Sequence, residues 1–294
     1  MNLLLQYAAL LAVGTVWGAT IPLSKISVST GHHSFGLITW QLAIMSAVLG
    51  VIVLVRRSRL YLDRSHLGFF LVIAFTGTLV PNSFSYWTAF HLPAGVLSLV
   101  IAVVPVFSLI IAAVFKLERP TLARLAGVFL GGCAIALIVL PEASLPDPAK
   151  AIFVFIGLIA PFCYGIEGNY VAQKQPNDTG PFATLFVASV IGLLIAAPVS
   201  LASGTMIHPR DGIGPPELAL IGASLLHIIA YSGYLWLNKS AGAVFAAQVS
   251  YVVTPAGVLI AIGLLGEEPS LYIWLALFVL LVGIALVQPR HTQS

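Results

Sequence analysis

The stretch PVFSLIIAAVFKLE at residues 105–118 has a counterpart, PAGVLIAIGLLGEE, at residues 255–268. In both stretches a proline lies inside an apolar run, and a glutamate follows thirteen residues later, at Glu118 and Glu268. A second apolar run comes next and closes on the letters IAL in each copy. A pattern that recurs with this spacing indicates an internal duplication.

Other landmarks in the two halves of the chain pair at an offset of 147 residues. We therefore predict two repeats, one covering residues 1–145 and the other covering residues 146–294. The paired landmarks are Trp17-Gly18 with Tyr164-Gly165, and Ala94-Gly95 with Ala241-Gly242.

Composition places both repeats in a membrane. Hydrophobic residues make up 59% of the chain, charged residues make up 8%, and the mean hydropathy is +1.03. Soluble proteins carry about a quarter charged residues, so a water-soluble fold is excluded. A helix needs roughly 20 apolar residues to cross a bilayer. Ten such runs lie at about 4–27, 35–55, 67–90, 94–115, 121–140, 151–173, 181–202, 217–237, 243–265 and 270–288.

The predicted fold is an all-α integral membrane protein with ten transmembrane helices, five in each repeat. An odd number of helices per repeat makes the second half enter the membrane upside down, so the repeats are expected to be inverted. Inverted repeats around a central cavity are typical of secondary transporters that work by alternating access, because such a pair has two related conformations, one open to each side.

The distribution of basic residues predicts the orientation. With the N-terminus in the cytoplasm, ten basic residues fall in the inside loops and three in the outside loops, so both termini are expected to be cytoplasmic. The basic cluster at residues 56–64 is interpreted as part of this bias and not as a nucleic-acid site. The inside set is Arg56, Arg57, Arg59, Arg64, Lys116, Arg119, Arg124, Lys174, Lys239 and Arg290, and the outside set is Lys25, Lys150 and Arg210.

Polar residues select the runs that line the cavity, since a helix facing lipid needs only apolar side chains. They concentrate in runs one, three, four, six, eight and nine. Run eight has the clearest pattern, with five polar residues at steps of three and four, which places them on one helical face. The alternative is that they bond neighbouring helices together. They are Ser224, His227, Tyr231, Tyr234 and Asn238.

Further candidates for substrate binding come from the other five runs, and several of them are aromatic. A cavity rich in aromatic faces suits a flat aromatic group or a cation better than a sugar. The additional candidates are Trp17, Asn82, Tyr86, Ser98, Tyr164, Gln248 and Tyr251. Prolines within the runs free backbone carbonyls and are expected to act as hinges. These prolines are Pro22, Pro81, Pro105 and Pro255.

Two titratable residues are candidates for proton coupling, Glu167 in run six and His227 in run eight. A carboxylate at this depth must face a cavity, be paired or be protonated. The alternative for Glu167 is a structural pair with Lys174. Cys133 and Cys163 both lie in apolar runs and are interpreted as buried hydrophobes. The histidines show no metal-ligand spacing, so neither a metal nor another cofactor is expected.

The pattern as a whole resembles the drug/metabolite transporter superfamily, and within it the ten-helix exporters built from two EamA-type repeats. The resemblance extends to the bacterial exporters of aromatic amino acids. It implies an exporter of small metabolites in the bacterial cytoplasmic (inner) membrane. The matching residues are Trp17-Gly18-Ala19-Thr20, Ala94 with Pro105 and Glu118-Arg119, and Pro255 with Glu268-Pro269.

Three functions are weighed. The first is export of amino acids and related small amphipathic solutes by a monomer in the lipid bilayer. The second is efflux of cationic or aromatic drugs, which requires a negative group in the cavity. The third is a non-transporting membrane sensor or enzyme, against which stands the absence from the sequence of a nucleophile–base pair, an HExxH motif or a glycine-rich phosphate loop.

Overall fold

The computed structural model describes residues 3–176, 178–208, 212–241, 246 and 248–287, without the side chains at positions 3, 65, 238, 239 and 241. Within these residues the chain is helical and contains no strand. The side chains of Asn238 and Lys239, together with Arg210, Gly242 and Arg290, therefore lie outside the description.

Each of the ten apolar runs contains helix, which confirms the predicted all-α membrane fold. The first half comprises α1 (Leu3–Ser27), α2 (Ser34–Val55), α3 (Arg64–Ile73), a π-helical segment (Ala74–Leu79), α4 (Val80–His91), α5 (Ala94–Ile101), α6 (Val104–Val114) and α7 (Leu122–Val139). The second half comprises a 3-10 turn (Pro148–Ala151), α8 (Ile152–Gly157), α9 (Ile159–Lys174), α10 (Pro181–Ala202), α11 (Pro215–Ala241), α12 (Ser250–Leu265) and α13 (Leu271–Val287).

The described helices match the dimensions of a bilayer. Eight stretches are long and apolar enough to cross it, and the two shorter apolar helices are Ser250–Leu265 and Leu271–Val287. Large apolar side chains such as Leu122, Phe129 and Phe278 are mostly exposed on the outside of the bundle. An apolar exterior of this kind suits contact with lipid.

Among the described residues, three of the spanning runs are interrupted just before a proline. The third contains the π-helical segment ahead of Pro81, the fourth breaks between α5 and α6 ahead of Pro105, and the sixth breaks between α8 and α9 ahead of Pro161. Proline has no backbone N–H, so it cannot donate to the carbonyl four residues earlier. Such interruptions are tolerated at membrane depth where protein or a cavity surrounds them.

Helix packing follows the repeat. α1 packs against α11 and α12, while α9, at the corresponding place in the second half, packs against α4 and α6. α2 packs against α10, and α7 against α13. If each helix is replaced by its counterpart in the other half, the same set of packed pairs results.

Glycines let two of these pairs approach closely, as is common between membrane helices. A Cβ atom on Gly18 of α1 would lie 2.8 Å from the Val253 carbonyl oxygen and 2.9 Å from the Gly257 nitrogen of α12. A Cβ atom on Gly283 of α13 would lie 3.0 Å from the Gly127 carbonyl oxygen of α7. No side chain fits at either contact without movement of the helices.

Different side-chain contacts mark the two ends of the bundle. At one end, which we call the Glu118 end, Arg124 pairs with Glu118 and donates through Nε to the Val287 carbonyl at 2.7 Å. At the other, the Glu267 end, Ser270 donates to the Ser144 carbonyl at 3.1 Å. α13 runs between the two, from residue 271 to residue 287.

Candidate functional site

A cavity of about 230 Å³ lies inside the bundle, and we call it the main cavity. Runs one, three, four, six, eight and nine all contribute to its wall, and these are the six runs that carry the polar residues. Arg124 of α7, Val287 of α13 and the ion-paired Glu118 lie on the wall as well, so the cavity extends to the Glu118 end.

The centre of the main cavity is aromatic. α11 turns His227, Tyr231 and Tyr234 to one face, because their spacings are four and three residues. That face meets Trp17 of α1, whose ring centroid lies 6.3 Å from that of His227, 6.2 Å from that of Tyr231 and 5.8 Å from that of Tyr234. These distances are typical of edge-to-face and tilted aromatic packing.

A smaller cavity of about 60 Å³ lies on the Glu267 side of this aromatic centre. Its polar wall includes Thr20, Ser24, Asn82 and Tyr86. Four residues border both cavities and thus form the boundary between them. They are Trp17, Ile101, Tyr164 and His227. The internal space is therefore wide towards the Glu118 end and narrow towards the Glu267 end.

Several buried polar atoms at these cavities have no partner within the described part of the chain. They are Gln41 Oε1, Asn82 Nδ2, Glu167 Oε1, His227 Nε2 and Tyr231 Oη. Buried polar groups in proteins are nearly always hydrogen-bonded, so a group of unpartnered atoms around a cavity requires an explanation. A polar ligand or water in the cavity would supply the missing bonds.

Glu167 lies on α9 with 5% of its surface exposed, and it borders the main cavity beside Gly77 of the π-helical segment. No described residue forms an ion pair or a hydrogen bond with its carboxyl group. Lys174, the partner considered from sequence, is exposed and unpaired with it within the described residues. The buried carboxyl group therefore faces the cavity and Gly77 with no counter-charge.

At the Glu267 end, side chains bond to the backbone of neighbouring helices. The Glu267 carboxylate accepts hydrogen bonds from the backbone N–H groups of Ala94 at 2.6 Å and Gly95 at 2.9 Å, at the start of α5. The Lys25 ammonium at the end of α1 donates to the Ala89 carbonyl at 2.7 Å. These bonds join α1, α4, α5 and the α12–α13 connection.

The predicted binding residues separate into four groups. Trp17, Tyr164 and His227 border both cavities, Tyr231 and Tyr234 only the main one, and Asn82 and Tyr86 only the small one. Tyr164 also donates to Asn82 Oδ1 at 3.3 Å. The remaining three border neither cavity and are Ser98, which donates to the Ala94 carbonyl and packs against Gly257, and Gln248 and Tyr251.

The four predicted hinge prolines lie in different settings. Pro105 borders the main cavity at the α5–α6 break, and Pro81 lies in the first turn of α4, one residue beyond the π-helical segment. Pro22 and Pro255 lie inside the continuous helices α1 and α12.

Sequence reasoning missed several residues of the cavity wall. Asn169 donates to the carbonyl oxygen of Ser108 at 3.0 Å and to the Oγ of Ser108 at 3.1 Å. These bonds connect α9 to α6 on the C-terminal side of Pro105. Ser250 and Thr254 of α12 border the cavity where Gln248 and Tyr251 were expected. Gly77 has no side chain and so could not have been found from polarity. In the described ranges no group of three or more His, Cys, Asp or Glu is placed to hold a metal.

Comparison with known proteins agrees with this architecture. The profile of the EamA-like transporter family matches residues 4–140 and again residues 151–288. The Escherichia coli (strain K12) protein named uncharacterized inner membrane transporter YedA is 25% identical over 300 residues, which cover 97% of this chain and 91% of that protein. The probable terminal-alkyne amino-acid exporter of Streptantibioticus cattleyicolor is 26% identical over 283 residues, covering 79% of this chain and 92% of that protein.

A solved crystal structure with 15% sequence identity has a TM-score of 0.66 and covers 95% of this chain and 96% of the other, which shows a shared fold. The predicted resemblance to a two-repeat transporter of the drug/metabolite superfamily is confirmed, because the family profile matches both halves. The chain belongs to the EamA-like transporter family.

Proposed function

We propose that this membrane transporter exports amino acids, aromatic and other neutral ones, together with related small amphipathic metabolites. The observation that carries the proposal is the aromatic centre of the main cavity, where Trp17 meets His227, Tyr231 and Tyr234. A relative named as a probable amino-acid exporter supports it, and the relative named as an inner membrane transporter supports a location in the cytoplasmic membrane of a bacterium.

The size and charge of the main cavity favour a small neutral solute. Its volume of about 230 Å³ is below the roughly 300–1,000 Å³ of sites for drug-sized ligands. Arg124 is the one arginine or lysine on the described wall, and it lies at the mouth, where Glu118 neutralises it. A phosphorylated solute would find no unpaired cation at the aromatic centre.

A zwitterionic amino acid has an apolar side chain and two charged ends, and the cavity wall offers partners for each. The faces of Trp17 and the tyrosines suit the side chain. The unpartnered Asn82 Nδ2 and His227 Nε2, and the Ile101 carbonyl that Pro105 leaves without a helical donor, are available to the charged ends.

Transport is proposed to proceed by alternating access between inverted repeats in a monomer. In the orientation predicted from the basic residues, both termini and the Glu118 end face the cytoplasm. The main cavity would then load a solute from inside, and movement at the interrupted runs and prolines would open the small cavity to the outside. Glu167 and His227 are the proposed carriers of a coupled proton, since both border the main cavity without partners.

A second candidate function is efflux of cationic aromatic compounds. One observation favours it, namely that the Glu167 carboxyl borders the aromatic centre with no counter-charge among the described residues. A cation next to aromatic faces and a carboxylate would be stabilised by both. The variant Glu167→Gln distinguishes the two functions, because it should abolish cation efflux while zwitterion exchange continues.

The test is counterflow in liposomes that contain the purified protein. Labelled phenylalanine or tryptophan is added outside liposomes loaded with the unlabelled amino acid, first at equal pH and then with an imposed pH gradient. Accumulation that excess unlabelled amino acid abolishes is expected, and acceleration by the gradient would implicate proton coupling. If folded protein exchanges no amino acid but exchanges a cationic aromatic dye, the second function replaces the first.

A further inference from the structure

The π-helical segment of the third run creates a notch in the wall of the main cavity. Val80 donates its N–H to the carbonyl of Phe75, five residues back, so the helix widens just before Pro81. Gly77 lies in this segment, is buried, and borders the cavity. π-Helical turns of this kind are often found at functional sites.

The notch is filled by the carboxyl group of Glu167. A Cβ atom placed on Gly77 would lie 2.6 Å from Cδ and 2.9 Å from Oε2 of Glu167, and closer still to Oε1. Carbon atoms in contact lie about 3.5–4.0 Å apart, so the carboxyl group could not remain there beside an alanine. Glu167 thus occupies the space that a side chain at position 77 would take.

Hydrogen bonding does not hold the carboxyl group in the notch. The hydroxyl groups on either side of Gly77 both donate back to their own helix, Thr76 to the Val72 carbonyl at 2.8 Å and Thr78 to the Ala74 carbonyl at 2.7 Å. Oε1 is buried without a partner in the described part of the protein. The third run therefore provides space for the Glu167 carboxyl group and not a hydrogen-bond donor.

We propose that Gly77 is a positioning residue that acts through Glu167, because the missing side chain sets how far the Glu167 carboxyl group reaches into the main cavity. An alanine at this position moves the carboxyl group by about 1 Å towards the solute, the difference between 2.6 Å and a normal carbon contact. The far end of a glutamate side chain is flexible, so this movement costs the fold little. The displaced Glu167 carboxyl group would narrow the route of the transported solute. In this respect the proposal rests on the proposed function.

A substrate-independent experiment tests the position of the carboxyl group directly. Purified protein is treated with a hydrophobic carbodiimide, and modification of Glu167 is followed by peptide mass. Gly77→Ala should raise the labelling rate several-fold, because the carboxyl group leaves the notch. Gly68→Ala is the matched control, since Gly68 lies in the same run and its Cβ would meet no atom within 4 Å. Unchanged labelling in Gly77→Ala would overturn the proposal.

Counterflow of phenylalanine tests the consequence for transport. Gly77→Ala should raise KM by about tenfold, the effect expected of overpacking in a closed site, with little change in the maximal rate. The same rise is expected in a Glu167→Gln background, because the amide has the same shape. In a Glu167→Ala background the change at position 77 should have no effect, since nothing remains to be displaced.

The outcomes separate this proposal from the proposed function. If wild-type protein exchanges no amino acid while carbodiimide labelling responds to Gly77→Ala, the function fails and the positioning role stands. An equal loss of exchange from Gly77→Ala with and without the Glu167 side chain would mean that alanine disturbs helix packing, which contradicts the proposal. If Gly77→Ala does not fold, folding of Gly77→Ala/Glu167→Ala supports the steric contact, and failure of both variants rejects it.

Discussion

At the scale of single residues, the account depends on unpartnered polar atoms at an aromatic centre. Tyr231 illustrates the point, since its ring packs 6.2 Å from Trp17 and its hydroxyl group is buried without a partner among described residues. Such a hydroxyl lowers the stability of the empty protein by about 1–3 kcal/mol. A solute that bonds to it recovers that loss, so the group favours binding at the expense of stability.

We predict that Tyr231→Phe leaves the melting temperature unchanged or raises it, while counterflow of phenylalanine is impaired. The ring packing is retained and only the unpartnered oxygen is removed, so transport and stability respond in opposite directions. Thermal unfolding in detergent and counterflow in liposomes provide the two measurements. Tyr272→Phe in α13, which borders neither cavity, is the control. Impaired stability with normal transport would show that the hydroxyl group has a structural role.

His227→Gln keeps a side chain that hydrogen-bonds but loses the imidazole. We predict impaired exchange with normal expression, and loss of any acceleration by a pH gradient, because His227 borders both cavities. Counterflow at equal pH and under a gradient separates these effects. Normal transport in both the His227 and the Tyr231 variants would remove α11 from the binding site.

Physical reasons explain which residues of the cavity wall could be predicted from the sequence. Periodicity located His227 and Tyr231 because α11 is one unbroken helix, whose faces are fixed by a 3.6-residue turn. Gln248 and Tyr251, which were also selected from the sequence, border neither of the two cavities, since α12 begins only at Ser250 and a helix start sets which face points inward. Gly77 could not be recognised, because the notch depends on a π-helical turn and on a side chain from another run.

At the scale of helices, the connection between α12 and α13 shows how a turn selects between neighbouring glutamates. The repeat pattern singled out Glu268, yet it is Glu267 that bonds to the start of α5. Gly266 ends α12 in the left-handed region, at φ 66°, which glycine adopts without strain. The turn points Glu267 inward and leaves Glu268 exposed. Spacing in the sequence cannot distinguish two adjacent carboxylates.

Glu267→Ala is predicted to destabilise the protein by about 1.5–3 kcal/mol, the contribution of hydrogen bonds to a charged group. Two N–H groups at the start of α5 have no partner within their own helix and would lose the carboxylate. Thermal unfolding in detergent is the measurement, and the adjacent Glu268→Ala is the matched control. Equal melting temperatures for the two variants would refute the assigned role of Glu267.

At the scale of the whole molecule, the two cavities differ in size. The main cavity of about 230 Å³ extends to the Glu118 end, whereas the small one of about 60 Å³ lies towards the Glu267 end. Duplication and membrane insertion were predictable from sequence, because hydropathy and repeat spacing are properties of long segments. Which end the main cavity reaches was not predictable, because it depends on a few contacts at the ends of the helices.

Cysteine accessibility tests whether the two cavities differ in access from solvent. In a background where Cys133 and Cys163 are replaced by alanine, Ser108→Cys on the main cavity should react quickly with a polar thiol reagent applied from the Glu118 end. Ser24→Cys on the small cavity should react slowly from either side. Equal reactivity at the two positions would contradict access to the main cavity from the Glu118 end alone.

The central claim is that an amino acid crosses the membrane past the aromatic centre. Trp17 borders both cavities and packs against α11. The most direct test is counterflow of labelled phenylalanine by wild-type protein and by Trp17→Ala, reconstituted at equal amounts. The account predicts exchange by the wild type that excess unlabelled phenylalanine abolishes, and its loss in Trp17→Ala protein that remains folded. Exchange that continues unchanged in Trp17→Ala would contradict it.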